Sequence, residues 1–152
     1  MTTRIQHTVF FDRPIEEVFD FITTLEHWRR WHPATLRVWG QTDEPAQKGD
    51  TVVESVKPAG IRGRVSWRVT ECERPNRWAS ETISIELPLL RKSKATLLYT
   101  LARRDGGTEF KREFSYTTPT AFHRLFDRIY FRRHMKSESV TALDRLQEAL
   151  SP

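Results

Sequence analysis

Sulfur and glycine are scarce in this chain, which has one cysteine and six glycines among its 152 residues. Cys72 has no second thiol with which to form an internal disulfide, and no histidine or thiol lies at a metal-site spacing from it. The glycines are spread among predicted turns, so the sequence contains no glycine-rich phosphate loop. These absences argue against a disulfide-rich protein, a zinc module and a P-loop nucleotide-binding protein. We expect no metal and no cofactor.

Long apolar runs are also missing. No segment approaches the roughly 18 apolar residues that a membrane-spanning helix requires, and residues 1–7 show no secretory signal core. We therefore expect no transmembrane segment and a cytoplasmic location. A length of 152 residues is typical of one domain, which we assign to residues 1–152.

Positive charge is in excess but is not concentrated. The chain has 25 Lys and Arg against 20 Asp and Glu, which gives a net charge of +5. The arginine-rich pairs fall in different predicted elements, and no recognition motif accompanies them. Nucleic acid is therefore not an expected partner.

The first third of the sequence predicts a strand followed by two helices. Residues 4–11 are strand-like, and Pro14 suits the first turn of a helix because its missing N–H is not needed there. Apolar residues then recur every three or four positions from 15 to 25, as in an amphipathic helix. A second short helix around 25–31 must end before Pro33.

The rest of the chain predicts six strands and one long helix. Alternation of period two, interrupted by turn signals, predicts strands at 36–41, 51–57, 61–73, 78–86, 93–103 and 108–117. Asp105-Gly106-Gly107 between the last two strands is a strong hairpin signal. After Pro119 the period returns to 3.6 residues and continues to Leu150.

Several short motifs, each weak alone, carry a family resemblance over the whole chain. They are residues 11–22 (FDRPIEEVFDFI), Trp28, residues 31–33 (WHP), Gly49-Asp50, residues 67–71 (WRVTE) with Pro75 and Trp78, and residues 107–110 (GTEF). With these motifs the chain resembles the START-like, helix-grip proteins of the SRPBCC superfamily, the polyketide cyclase/dehydrase and lipid-transport group. The resemblance implies an α+β fold in which a curved, seven-stranded antiparallel sheet wraps around a long C-terminal helix and encloses a cavity. It does not specify the function.

Strand alternation predicts which side chains face that cavity. Trp67 and its apolar neighbours in the strand 61–73 must face inward, because a slip of one residue would bury arginines instead. The long helix should cross the ligand. The candidate ligand-binding residues are Trp67, Tyr99, Phe110, Arg112, Phe114, Phe126, Ile129 and Arg133.

Arg112 is the one charged residue among the otherwise aromatic, inward-facing residues of its strand. A guanidinium in such a place either pairs with a buried acid or meets a carboxylate, phosphate or phenolate of a ligand. An ion pair with Glu54 is the structural alternative to a ligand site.

The final helix raises a similar question. One broad face carries Arg133 and Lys136 midway along an apolar stripe that consists of Phe122, Leu125, Phe126, Ile129, Val140, Leu143, Gln147 and Leu150. Either the two cations point into the cavity, or the helix overhangs the sheet and leaves them in solvent. Tyr130, Phe131 and Met135 lie off the stripe, and we expect them to be exposed, where they would mark a partner surface or a homodimer contact.

Three functions are compatible with this pattern. The leading hypothesis is binding or transport of a small hydrophobic ligand, either a lipid or an aromatic polyketide-like molecule. The second is a cyclase or aromatase-like enzyme that would use Arg112, Tyr99, His7 or Arg133. The third is a protein-interaction module with a collapsed cavity, which a cavity smaller than about 300 Å³ would favour.

Overall fold

In a computed structural model that describes residues 1–151, seven strands form one continuous antiparallel sheet. The strands are β1 (Thr2–Phe11), β2 (Thr35–Gly40), β3 (Thr51–Val56), β4 (Gly63–Glu73), β5 (Arg77–Glu86), β6 (Ala95–Arg104) and β7 (Gly107–Thr117). Their order across the sheet is β1-β7-β6-β5-β4-β3-β2. The predicted sequence of a strand, two helices, six strands and a long helix is confirmed.

The helices between β1 and β2 close one end of the curved sheet. Helix α1 (Ile15–Thr23) is followed by a 3₁₀ turn (Leu25–His27) and by the single-turn helix α2 (Trp28–Trp31). Pro14 is the N-cap of α1, and no side chain makes a capping hydrogen bond there. Trp28 and Trp31 are fully buried and pack among the aromatic residues of β4 to β7.

Inner rows of the strands form most of the core. Val65, Trp67 and Val69 in β4 are buried, as alternation predicts. Beyond Val69 the pairing of β4 with β5 shifts at a β-bulge, which increases local twist and moves the inward phase by one residue. Cys72 therefore packs partly against the core, although simple alternation would place it outward.

The C-terminal helix has a wide turn within it. Helix α3 (Ala121–Phe126) continues through a π-helical turn (Asp127–Phe131) into α4 (Arg132–Ala149). The carboxylate of Asp127 is buried and accepts hydrogen bonds from Thr3, Tyr116 and Arg132, which hold this turn against β1 and β7. No helix within residues 1–151 is long and apolar enough to cross a membrane.

For the N-terminal half of the C-terminal helix, the prediction of which face is buried is wrong. Phe122, Leu125 and Ile129 are exposed, and Arg133 and Lys136 continue the same face into solvent. Phe131 is buried and Met135 is half-buried, although both were predicted to be exposed, whereas Tyr130 is exposed as predicted. The physical reason is that Asp127 is anchored to the sheet and a π turn takes more residues than an α turn, so a constant period of 3.6 does not hold across the junction. The buried row is Asp127, Phe131, Ser139, Ala142, Leu143, Leu146 and Leu150.

Candidate functional site

A cavity of about 110 Å³ lies between the inner face of the sheet and helix α4. Apolar side chains from β3 to β7, from α2 and from residues 87–90 make up most of its wall. Phe131, Met135 and Ala142 contribute the helical side. Nine polar or ionisable side chains also line it: His32, Thr35, Glu54, Thr82, Ser93, Arg112, Tyr116, Glu138 and Ser139.

Arg112 enters the cavity from β7 without an acidic partner. Within residues 1–151, no carboxylate oxygen lies within 4.0 Å of its guanidinium. Its Nη1 donates to Oγ of Ser139 at 3.3 Å, its Nε is buried without a partner in the described residues, and its Cζ lies 5.8 Å from the centre of the Phe114 ring. Burial lowers the pKa of Arg112, but a guanidinium remains charged throughout the accessible pH range.

Glu54, the acidic partner considered for Arg112, makes its hydrogen bonds with other residues. Its two carboxylate oxygens accept hydrogen bonds from the hydroxyl of Thr35 and from Nε1 of Trp67, the latter at 2.9 Å. Burial raises the pKa of Glu54, and these two hydrogen bonds oppose the shift only in part. Of the two alternatives for Arg112, the ion pair with Glu54 is therefore not formed, because β2 and β4 supply neutral donors to the carboxyl group.

Glu138 and Ser139 face the cavity from helix α4. Oε1 of Glu138 accepts the backbone N–H of Ala59 at 2.9 Å, whereas Oε2 is buried and has no partner among residues 1–151. Burial raises the pKa of Glu138. Oγ of Ser139 lies 2.9 Å from Nδ1 of His7 and also accepts from Arg112, so this hydroxyl joins β1, β7 and the helix.

His32 ends helix α2 and lies against Tyr99. Its backbone N–H donates to the carbonyl of Trp28, and its Nε2 lies 3.3 Å from the hydroxyl of Tyr99. Burial, aided by the charge of Arg112, holds the pKa of His32 well below its usual range, so the imidazole is neutral at pH 7. Burial raises the pKa of Tyr99, which keeps the phenol protonated.

The predicted ligand-binding residues fall into three groups. Trp67, Arg112 and Phe114 line the cavity. Tyr99 and Phe110 are fully buried in the aromatic cluster behind its wall, and Phe126 is half-buried between Phe122 and Phe131. The prediction that Ile129 and Arg133 face the cavity is wrong, because both side chains are exposed.

Reasoning from periodicity missed the two polar cavity residues of helix α4, Glu138 and Ser139. Both lie on the row of the helix that includes Phe131, Ala142 and Leu146. The residues of this row recur every three or four positions, as expected for one face of a helix. Because some of them are polar, this pattern was weaker in the sequence than the apolar stripe on the opposite face. Within residues 1–151, no three His, Cys, Asp or Glu side chains are grouped so as to hold a metal ion.

The sheet, the long helix and the cavity between them define the helix-grip class of ligand-binding folds. The family model for polyketide cyclase / dehydrase and lipid transport matches residues 2–151, and the chain belongs to this family. A search of curated proteins finds no match to the sequence.

Similar solved structures support the fold at low sequence identity. The Zhui aromatase/cyclase from Streptomyces sp. R1128 has a TM-score of 0.77 at 16% identity, with 99% of this chain and 94% of that chain covered. Major latex-like protein 151 from Panax ginseng has a TM-score of 0.72 at 9% identity and 99% coverage of both chains. The Aha1 dimer from Colwellia psychrerythraea has a TM-score of 0.64 at 16% identity, with 97% and 96% covered.

Proposed function

We propose that the protein binds a small amphipathic acid in the cavity between the sheet and α4, with the acidic group against Arg112. The observation that carries this proposal is a guanidinium in a largely apolar cavity with no acidic partner among the described residues. A fully buried charge that loses its partner costs about 3–5 kcal/mol of folding free energy. The cost is smaller for Arg112, which is half-buried with its Nε enclosed. A ligand carboxylate or phenolate offsets that cost through charge-assisted hydrogen bonds.

The cavity volume limits the apolar body of the ligand. An apolar cavity of about 150 Å³ is enough to bind benzene in another protein, and the volume here is about 110 Å³. We therefore propose a single aromatic ring or a short acyl chain as the ligand body. A long fatty acid or a multi-ring polyketide would require the walls to move apart.

A volume of about 110 Å³ also lies below the roughly 300 Å³ at which typical small-molecule sites begin, which favours the interaction-module hypothesis on this criterion. The polar lining argues against a vestigial cavity. A cavity that had collapsed into ordinary core would not retain Nε of Arg112 and Oε2 of Glu138 without partners among residues 1–151.

Binding without catalysis is the better-supported proposal. A cyclase needs a group that is free to take up or release a proton. Nε2 of His32 lies by Tyr99 and Nδ1 of His7 by Ser139, which leaves Oε2 of Glu138 as the cavity carboxylate oxygen without a partner among residues 1–151. Arg133, another catalytic candidate, is exposed. The cyclase activity of the family therefore stays the second candidate here.

The test is thermal unfolding of the full chain with single-ring and short-chain carboxylic acids, each paired with its neutral amide. A ligand at a free concentration of 100 Kd stabilises the folded state by about 2.7 kcal/mol, which raises the Tm of a protein of this size by several degrees. We expect the acids to raise the Tm and the amides to leave it unchanged. Equal effects of acid and amide would exclude Arg112 as the recognition group, and no effect of either would contradict the proposed function.

A further inference from the structure

The exposed face of the C-terminal helix changes character along its length. Phe122, Leu125 and Ile129 are 55%, 55% and 64% exposed. Beyond the π turn, the exposed side continues with Arg133 and Lys136. An apolar end is thus followed directly by a cationic section on one side of a single helix.

Positive charge is concentrated in this segment. Between residues 121 and 136 there are five Lys and Arg and one acid, so this stretch holds four of the five net positive charges of the chain. The acid is Asp127, which is buried and already bonded to Arg132. Among the described residues, no ion pair involves Arg124, Arg128, Arg133 or Lys136.

An aromatic stack joins this exposed face to the cavity wall. The ring of Phe122 is parallel to that of Phe126 within 3°, with centroids 6.4 Å apart. Phe126 in turn lies 5.8 Å from Phe131, which lines the cavity. The apolar surface therefore extends from solvent to the wall of the candidate site.

We propose that the face made by Phe122, Leu125, Ile129, Arg133 and Lys136 docks the protein on an anionic lipid bilayer. Apolar side chains at the N-terminal end of the helix enter the boundary between headgroups and acyl chains, while the cations further along contact lipid phosphates. Interfacial membrane helices combine aromatic and aliphatic residues that enter the bilayer with Lys and Arg on their polar face; here the cations instead follow the apolar residues along the same side of the helix. Juxtaposed basic side chains add electrostatic attraction to anionic headgroups.

Charge argues against a second copy of the chain as the occupant of this face. In an isologous dimer the same surface meets itself, so Arg133 and Lys136 would meet a surface of the same positive charge and gain no acidic partner from it. An anionic bilayer instead supplies the opposite charge, and it accepts a protruding helix without a complementary groove.

The test is co-sedimentation of the full chain with phosphatidylcholine vesicles and with vesicles that also contain phosphatidylglycerol. We expect binding to the anionic vesicles only, and weakening at high salt because the cations contribute. Ile129→Ser and Arg133→Glu should each reduce the partition coefficient about tenfold, as expected from lost apolar burial and reversed charge. The matched controls are Val140→Ser and Arg145→Glu, at exposed sites further along the helix; they should change it less than about twofold.

Three results would overturn this proposal. They are absence of binding to anionic vesicles, an Ile129→Ser variant that binds as well as Val140→Ser, and a concentration-dependent dimer in size-exclusion chromatography that Ile129→Ser disperses. The outcome is independent of the cavity ligand. If acids do not bind but vesicles do, only the proposed function fails. If acids bind but vesicles do not, only the membrane proposal fails.

Discussion

Arg112 and Ser139 meet across the cavity, where Nη1 of the arginine donates to Oγ of the serine at 3.3 Å. This contact joins the last strand of the sheet to the last helix. It is a long hydrogen bond to a neutral hydroxyl, so it orients the guanidinium without neutralising its charge. The cavity therefore contains a positioned cation whose charge no carboxylate among residues 1–151 balances.

Replacement of Arg112 by methionine tests this interpretation. Because the variant removes a buried charge while retaining a side chain of similar length, we expect the free energy of unfolding to rise by about 1–2 kcal/mol, within the range known for replacement of buried ionic groups. Affinity for the acidic ligand should fall at least about tenfold, since a charge-assisted hydrogen bond contributes about 1.5–3 kcal/mol. Urea unfolding and ligand titration measure the two effects.

The matched control for this change is Arg68→Met on the outer, exposed face of β4. It should alter stability by less than about 0.5 kcal/mol and leave binding unchanged. If Arg112→Met instead destabilised the protein by more than the control, Arg112 would be a structural residue rather than a ligand-binding one.

Ala142 offers a way to fill the cavity from the helical side. It is buried on α4 and lines the cavity, so Ala142→Leu places three additional carbon atoms in a volume of about 110 Å³. We expect ligand affinity to fall at least about tenfold, with a change in stability of less than about 2 kcal/mol because the new methyl groups enter existing space. Isothermal titration and thermal unfolding measure the two quantities.

Val140→Leu is the control for cavity filling, because Val140 is exposed on the same helix. It should bind ligand as the unchanged protein does. Equal affinity of Ala142→Leu and Val140→Leu would show that the ligand does not occupy this cavity.

The strands could be predicted from sequence because alternation leaves only two choices for each strand. In β4, one choice buries Val65 and Trp67 and the other buries Arg64 and Arg68, so desolvation decides the register. The same argument placed Arg112 on the inner face. The partner of Arg112 could not be predicted in the same way. Glu54 is engaged by hydrogen-bond donors from β2 and β4, and only the register of the folded sheet brings these donors to its carboxyl group.

The N-terminal half of the long helix could not be predicted in this way. Two faces there carry apolar residues, one with Phe122 and Ile129 and the other with Phe131. The choice between them depends on Asp127, whose partners Thr3 and Tyr116 lie in the first and last strands. A local period contains no information on such contacts, and the π turn moves the phase between the two halves.

Glu54 should make the stability of the protein fall as pH rises. Its pKa is raised in the folded state, so its contribution is fully present below the unfolded-state pKa of about 4.3 and is lost as pH increases through the folded-state pKa. Glu54→Gln keeps an acceptor for Trp67 and cannot ionise. We expect this variant to be more stable than the unchanged protein at pH 8 and to lose that advantage at pH 4.

Urea unfolding at several pH values measures the effect of Glu54→Gln. Glu81→Gln, at an exposed position in β5, is the control for removal of a carboxylate. A difference for Glu54→Gln that is the same at pH 4 and pH 8 would contradict the raised pKa.

His32 should have the opposite pH dependence. Its pKa is depressed on folding, so its contribution to stability is present above the unfolded-state pKa of about 6.5 and is lost as pH falls below that value towards the folded-state pKa. His32→Gln removes the titrating group while leaving a side chain that accepts a hydrogen bond from Tyr99. We expect the variant to lose less stability than the unchanged protein between pH 7 and pH 5.

Chemical denaturation at pH 7, 6 and 5 provides the measurement for His32. His134→Gln is the control, because His134 is on the solvent side of the helix and bonds the carbonyl of Tyr130. Parallel pH profiles for the unchanged protein and His32→Gln would exclude a neutral buried imidazole.

Asp127 anchors the π turn, and its removal should have the largest effect on stability. Its carboxylate is 2% exposed and accepts hydrogen bonds from Thr3 at 2.6 Å, from Tyr116 and from Arg132 at 2.8 Å. Asp127→Ala leaves buried donors without partners, each of which costs about 1–3 kcal/mol, so we expect a loss of about 3 kcal/mol or more in the free energy of unfolding.

The control is Asp144→Ala, because Asp144 is exposed on the same helix. This change should cost less than about 0.5 kcal/mol. Because the anchor joins β1 and β7 to the helix, amide exchange in residues 121–131 should accelerate in Asp127→Ala, and equal exchange in the two variants would show that the turn is held by apolar packing alone.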